Sequence, residues 1–158
     1  MAKAREIPGL DGAHSFRAVA RAAVSVRSAE VFEHAAGVLD TDDIERVHAM
    51  RVATRRLRAV LEVFAPAFDK REHKAVLKDV KALADALGAR RDPDVQLAAL
   101  TDLEAALPDA DRAGIEAFAD RVRAEQRDGN ATLAAALKVM ADDDLEGRLK
   151  QLAAAEPS

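Results

Sequence analysis

One histidine and four arginines lie within residues 48–58, in a segment that otherwise has the pattern of a buried helix. At about 3.6 residues per turn, four of these side chains fall on one narrow arc. We call them the arginine row: His48, Arg51, Arg55 and Arg58. Like charges spaced three or four residues apart on a helix repel one another. An arginine fork matches two oxygens of a phosphate, so the row predicts an anionic ligand that offsets the repulsion.

A second set of cations follows on the next predicted helix. We call it the lysine row: Lys70, Lys74, Lys78 and Lys81. If the two helices pack as a hairpin, the two rows form a basic groove, in which the three arginines span about 10 Å. The ligand that suits such a groove is a long anion with a charge at every link, rather than a single phosphate.

Other chemistry has little support in the sequence. The chain has no cysteine, which excludes disulfides and thiolate zinc sites, and His48 is followed at helical ligand spacing only by Arg51 and Val52. There is no glycine-rich phosphate loop, no Ser-His-Asp set and no isolated pair of carboxylates. We therefore expect no metal, no cofactor and no enzymatic activity. The remaining histidines have no partners at ligand spacing and are interpreted as non-functional: His14, His34 and His73.

Charge is distributed unevenly along the chain. The net charge is −4, yet residues 45–91 hold twelve Lys and Arg against six Asp and Glu. The rest of the chain holds twelve basic and twenty-two acidic residues. One basic segment inside an acidic protein indicates an electrostatic site, and it carries no information about the fold.

Composition favours an all-α protein. The 158 residues suffice for one well-buried domain, and they are 49% hydrophobic but only 3% aromatic. Alanine supplies much of the apolar fraction, and no useful segment alternates with the period of a β-strand. We expect an antiparallel bundle of four main helices plus short helices.

Apolar periodicity and capping residues place the helices. Asp42 is the expected N-cap of the basic helix, with Glu45 as its capping-box partner. Gly88 is expected to end the lysine-bearing helix, and residues 90–94 to form a loop in which Asp92 caps a further helix and Pro93 occupies its first position. The expected helices are 14–39, 42–64, 69–87, 93–107, 111–140 and 145–154.

The predicted organisation has three parts. Residues 1–12 are expected to be a flexible lead, residues 13–141 the bundle, and residues 142–158 a short C-terminal helix and tail. No apolar run approaches the roughly 20 residues that cross a bilayer, and no secretory signal follows the N-terminus. We therefore expect a soluble cytoplasmic protein with no membrane partner.

Two sequence landmarks resemble those of a known family. Residues 48–58, HAMRVATRRLR, closely resemble the signature of the CHAD family, the conserved-histidine α-helical domain. Residues 83–95, LADALGARRDPDV, look like its second landmark, a leucine-rich helix end followed by Gly-x-x-Arg-Asp-x-Asp-Val. The resemblance implies a helical binding module for inorganic polyphosphate. Such modules are often attached to triphosphate tunnel enzymes or associated with polyphosphate granules.

The resemblance also implies which residues bind the polyanion. It implicates His48, Arg51, Arg55, Arg56 and Arg58 from the first landmark and Arg91 from the second, whereas Lys74, Lys78 and Lys81 come from the helical wheel. Arg56 lies off the arc and is expected to face a different wall of the groove. The family's domain has two similar four-helix halves, but here the signature occurs once. The chain, over residues 16–140, therefore resembles one half, and we expect a symmetric homodimer.

Two alternatives stay open. A nucleic-acid-binding protein also uses basic helices, although the chain has only five Phe for base stacking and no Asn or Gln among the arginines of the basic helix. The other alternative is a helical interaction protein whose basic face docks an acidic partner or its own acidic residues 142–144.

Overall fold

The computed structural model describes residues 3–155, and within them the secondary structure is helical with no β-strand. This confirms the prediction of an all-α bundle. A 3₁₀ turn at Ala65–Ala67 connects the second and third helices. The α-helices are α1 (Phe16–Glu33), α2 (Ile44–Val63), α3 (Lys70–Ala106), α4 (Asp109–Asp142) and α5 (Leu145–Ala154).

Each helix packs on the one before it, from α1 through α4, and α5 then returns to pack on α1. Short connections make consecutive helices antiparallel, as in the predicted bundle. The shared core contains Leu57 and Leu61 of α2, Leu87 of α3 and Leu133 of α4, all almost fully buried. Burying a leucine side chain stabilises the fold by about 1.5–3 kcal/mol, so these contacts fix how the helices are arranged.

The C-terminal helix α5 belongs to the same core. Its capping residue Asp144 has a left-handed backbone, and the carboxylate accepts a hydrogen bond from the Gly147 N–H at 3.1 Å. The helix then buries three leucines that join the core cluster: Leu145, Leu149 and Leu152. Arg148 also donates to Asp79 of α3 at 2.7 Å. Residues 142–155 are thus tied to the bundle by both apolar and polar contacts.

The third helix is where the predicted boundaries are wrong. Gly88 does not end it, residues 90–94 are not a loop, and Pro93 is not a first helical residue, because α3 runs unbroken to Ala106. A proline inside a helix costs about 3 kcal/mol, since residue 93 has no N–H to offer to the Ala89 carbonyl. Gly129 of α4 lies against that carbonyl, and a Cβ there would come within 2.7 Å of the Ala89 oxygen. Packing of α4 therefore stabilises the helix through the proline.

The connection between α1 and α2 also differs from prediction. Helix α1 ends at Glu33 rather than Leu39, and Gly37 has a left-handed φ of 72°. The Arg46 side chain covers this glycine and donates to the Ala36 carbonyl at 3.2 Å. The N-cap of α2 is Asp43 rather than Asp42, and it makes no capping hydrogen bond, so the predicted capping box with Glu45 is absent.

The far ends of α3 and α4 form a two-helix extension. No residue from 95 to 118 is buried, so no third helix covers this pair. Leu103 and Phe118 are 48% and 44% exposed there. Among the described residues, none of the helices combines the length and apolar character needed to cross a bilayer.

Candidate functional site

Helix α2 carries the arginine row on a side that does not face the core. Val47, Met50, Leu57 and Leu61 are almost fully buried on one side, as amphipathic periodicity requires. The arginine row lies on the other side, with Arg55 exposed and the remaining members half-buried. The packing of α2 thus determines that the row faces outward.

Three members of the row have no internal partner. Within residues 3–155, the side chains of His48, Arg51 and Arg55 make no hydrogen bond and no ion pair. A row of unpaired like charges is destabilising by a few tenths of a kcal/mol per pair. The fold leaves these charges available to an external anion.

Arg58 differs, because it contacts the lysine row through a shared carboxylate. Its Nε donates to Glu62 Oε1 at 3.1 Å, and Lys81 Nζ lies 3.2 Å from the same oxygen. Hydrogen bonds from Arg58 and from Lys81 hold the pKa of Glu62 below its ordinary value. This contact places the arginine row of α2 beside the lysine row of α3. Glu62 was not predicted from the sequence, although its spacing of four residues from Arg58 is the signal of a helical ion pair.

The other lysines extend this basic surface along α3. Lys74 and Lys78 are exposed, and neither side chain has a hydrogen bond or an ion pair in the described part of the chain. Lys81 is half-buried and pairs with Glu62. We define the basic face as the arginine row together with Lys74, Lys78 and Lys81. It is an open surface across two packed helices.

Arg56 lies on the α1 side of α2, where its charge acts on Glu30 of α1. Burial of Glu30 would raise the pKa of its carboxyl. Hydrogen bonds from the Arg5 N–H and the Arg27 guanidinium, both at 2.6 Å, outweigh that effect and lower the pKa, with the charges of Arg27 and Arg56 adding to it. Arg56 therefore lies near this α1–α2 ion cluster, off the arc of the arginine row.

The second landmark forms a buried polar junction instead of a loop. Arg90 is fully buried (0% exposed) and forms an ion pair with Asp94 one turn later, across Pro93. Helix α4 completes the junction: Gln126 donates to Asp94 at 2.7 Å, and Arg90 Nε donates to Asn130 Oδ1 at 3.2 Å. A buried charge requires such a partner, so these contacts fix α3 against α4.

The same junction also contacts the connection between α1 and α2. Asn130 Nδ2 donates to the Leu39 carbonyl at 3.1 Å. Arg91, the residue implicated by the family resemblance, is half-buried beside this junction, and its Nη1 is buried with no hydrogen-bond partner among the described residues. Arg91 was predicted as a site residue from the family resemblance, whereas Arg90 was not predicted, although its spacing of four residues from Asp94 is the signal of a helical ion pair.

Three further kinds of candidate site are the buried His73, clusters of metal-ligating side chains, and a surface cavity. His73 is buried with its Nε2 2.7 Å from the Leu61 carbonyl, so it links α3 to α2. No cluster of three or more metal-ligating side chains occurs in residues 3–155. A cavity of about 430 Å³ lies elsewhere, and Arg17, Arg21 and Arg148 share its lining with Asp69 and Glu72. Charges in that cavity are mixed, whereas the cations of the basic face are contacted by one carboxylate, Glu62, among the ion pairs of residues 3–155.

Comparison with known proteins supports the family suggested by the two landmarks. The family model described as the CHAD domain matches residues 22–158, from within α1 through α5. The sequence landmarks suggested a resemblance over residues 16–140; this match begins later, at residue 22, and continues past residue 140 to include the C-terminal helix. No curated protein and no solved structure matches the chain. The chain therefore belongs to the CHAD domain family.

Proposed function

We propose that this chain binds inorganic polyphosphate, or a similar linear polyanion, through the basic face. One observation carries the proposal: Arg51, Arg55, Lys74 and Lys78 lie on two packed helices without an internal partner among the described residues. The chain belongs to the CHAD family. Because the resemblance to that family implied a polyphosphate-binding module, this membership supports the same ligand. The role is binding without catalysis.

The arrangement favours a linear polyanion over a single phosphate. Successive arginines on one face of α2 are about one helical turn, or roughly 5.4 Å, apart. A flexible chain with charge at every link places a different phosphate against each of them. Each contact releases condensed counterions, so affinity must fall steeply with salt and rise with chain length.

We also propose that two chains pair to form the complete binding surface. The signature occurs once in this sequence, and two-fold pairing is the commonest closed assembly. Leu103 and Phe118 are exposed apolar side chains on the two-helix extension that a second copy of this chain could cover, and the Arg121 guanidinium lies 5.6 Å over the Phe118 ring. The test is the molecular mass in solution. A monomer at micromolar concentration that binds polyphosphate with full affinity would contradict pairing.

The binding proposal is tested with a double variant and a matched control. Arg51→Ala/Arg55→Ala removes two unpartnered cations of α2 that are four residues apart. The control Arg123→Ala/Arg127→Ala removes two exposed arginines of α4 with the same spacing and the same change in net charge. Calorimetric titration with polyphosphate should show a loss of about tenfold per arginine for the first variant and little change for the control. Equal losses in both variants would contradict the assignment of the site.

Nucleic acid is the competing ligand, because unpartnered arginines also bind its phosphates. Helix α2 offers no Asn or Gln for reading bases. Competition between polyphosphate and duplex DNA of equal total charge separates the two ligands. Displacement of polyphosphate by DNA at equal concentrations of phosphate would favour the nucleic-acid function.

The acidic residues 142–144 have local roles, which weakens the alternative of an internal acidic competitor. Asp142 pairs with Lys138, and Asp144 caps α5. Because α5 is part of the core, deleting it would disturb the fold. The double variant Asp142→Asn/Asp143→Asn is the better test. We expect this variant to bind polyphosphate with the same affinity as the unaltered protein.

A further inference from the structure

Glu62 is the carboxylate that contacts both rows of the basic face. It is 42% exposed, and one of its oxygens contacts both Arg58 of α2 and Lys81 of α3. The other cations of the basic face have no such partner within residues 3–155. Glu62 therefore lies where the arginine row and the lysine row meet.

We infer that Arg58 and Lys81 form a phosphate subsite that Glu62 occupies as an internal competitor, so that Glu62 limits binding of chains long enough to contact both rows. This inference rests on the proposed function and adds to it the residue that controls selectivity for chain length. A carboxylate oxygen and a phosphate oxygen accept the same hydrogen bonds from arginine and lysine. The geometry around Glu62 Oε1 thus shows how two donors from different helices converge on one anionic oxygen.

The length of the polyphosphate determines whether Glu62 affects its affinity. A short anion such as tripolyphosphate can be held by Arg51 and Arg55 alone and does not need the subsite. A long polyphosphate that engages both rows can cross between them at Arg58 and Lys81, because these two cations share a contact with Glu62. The polyphosphate then either displaces Glu62 from both cations or lies close to the negative charge of the Glu62 carboxylate. Both outcomes weaken binding.

The test compares Glu62→Gln with a matched control in calorimetric titrations. Both are made with tripolyphosphate and with a polyphosphate several tens of phosphates long. The control Glu116→Gln removes the same charge from an exposed position on the two-helix extension. For Glu62→Gln we expect affinity for the long chain to rise roughly three- to tenfold, the range given by the loss of about two exposed ion pairs. Affinity for tripolyphosphate should change less than about twofold, as should both affinities of the control.

A second variant identifies the cations involved. In an Arg58→Ala background, Glu62→Gln should give much less gain for the long chain, because the two side chains act on the same subsite. Circular dichroism confirms that each variant is folded.

The outcomes separate this inference from the proposed function. An unaltered chain that shows no saturable, salt-dependent binding would contradict the function itself. The inference would be contradicted if the unaltered protein binds but the Glu62→Gln variant binds long polyphosphate no better, or more weakly. Glu62 would then have a positioning role. An equal gain in affinity for tripolyphosphate and for long polyphosphate would show that only the change in net charge matters. That result would also overturn the inference.

Discussion

Two segments of this chain carry neighbouring arginines but have opposite surroundings. The arginine row on α2 faces outward, and Arg51 and Arg55 have no partner among the described residues. The junction at Arg90 and Asp94 on α3 is buried, and α4 supplies further hydrogen bonds to it. The comparison teaches that arginine density alone does not mark a binding surface. The location of the neighbouring carboxylate decides whether an arginine serves the fold or remains available to a ligand.

The two segments also differ in what they contribute to stability. A buried guanidinium without a partner would be very costly, so Arg90 and Asp94 depend on each other. An exposed arginine remains hydrated and contributes little to stability even when it is paired. Stability measurements on variants of the two segments should therefore diverge widely.

The largest effect is expected from Arg90→Ala, which leaves Asp94 buried without its cation. We expect the free energy of unfolding to fall by about 3–5 kcal/mol. Urea denaturation followed by circular dichroism measures it. Replacing both partners, in Arg90→Met/Asp94→Ala, should recover part of the loss because no unpaired charge remains. A loss below about 1 kcal/mol for Arg90→Ala would show that the junction is not structural.

Gly129→Ala tests the close approach of α4 to α3 beside the same junction. The new Cβ would lie 2.7 Å from the Ala89 carbonyl oxygen, so the helices must separate. We expect a loss of about 1–3 kcal/mol in the free energy of unfolding. Gly114→Ala on the same helix is the control, since its Cβ meets no atom within 4 Å. That variant should gain roughly 0.5–1 kcal/mol from helix propensity, and equal effects in the two variants would contradict the packing argument.

Glu30 offers an intermediate case, a buried carboxylate within the α1–α2 ion cluster. We expect Glu30→Gln to lose about 1–2 kcal/mol at neutral pH, the net contribution of hydrogen bonds to a charged group. Because folding lowers the pKa of Glu30, its contribution is complete above the ordinary value of 4.5 and is lost as pH falls through the lowered value. Thermal melts across acidic pH should therefore show a shallower decline for the variant. Parallel declines would indicate that other carboxyls control acid unfolding.

The smallest effect on stability is expected from Arg51→Ala/Arg55→Ala. We expect the free energy of unfolding to change by less than about 0.5 kcal/mol, because removing like charges relieves repulsion and alanine favours helix. The same urea denaturation measures it. A loss comparable to that of Arg90→Ala would erase the contrast between the two segments.

The sequence predicted the helical class and the outward row of α2 because both follow from local periodicity. Helix α2 ends at Val63, close to the expected end before Pro66. The same reasoning failed at residues 88–94, where Gly88 and Pro93 indicated a break. Local propensity favours that break, but contacts with Gly129, Gln126 and Asn130 outweigh it. These residues are more than thirty positions away, so no local rule includes them.

Sequence alone therefore determined the amphipathic helices, the concentration of basic charge in residues 45–91 and the family landmarks, because each depends on residue type and short spacing. Tertiary structure decided which charges are partnered. Only the packing of α3 on α4 buries Arg90, and only the packing of α2 on α3 brings Lys81 to the carboxylate that Arg58 already contacts. Partnership between charges is a matter of distance in space, and helices that are far apart in sequence set that distance.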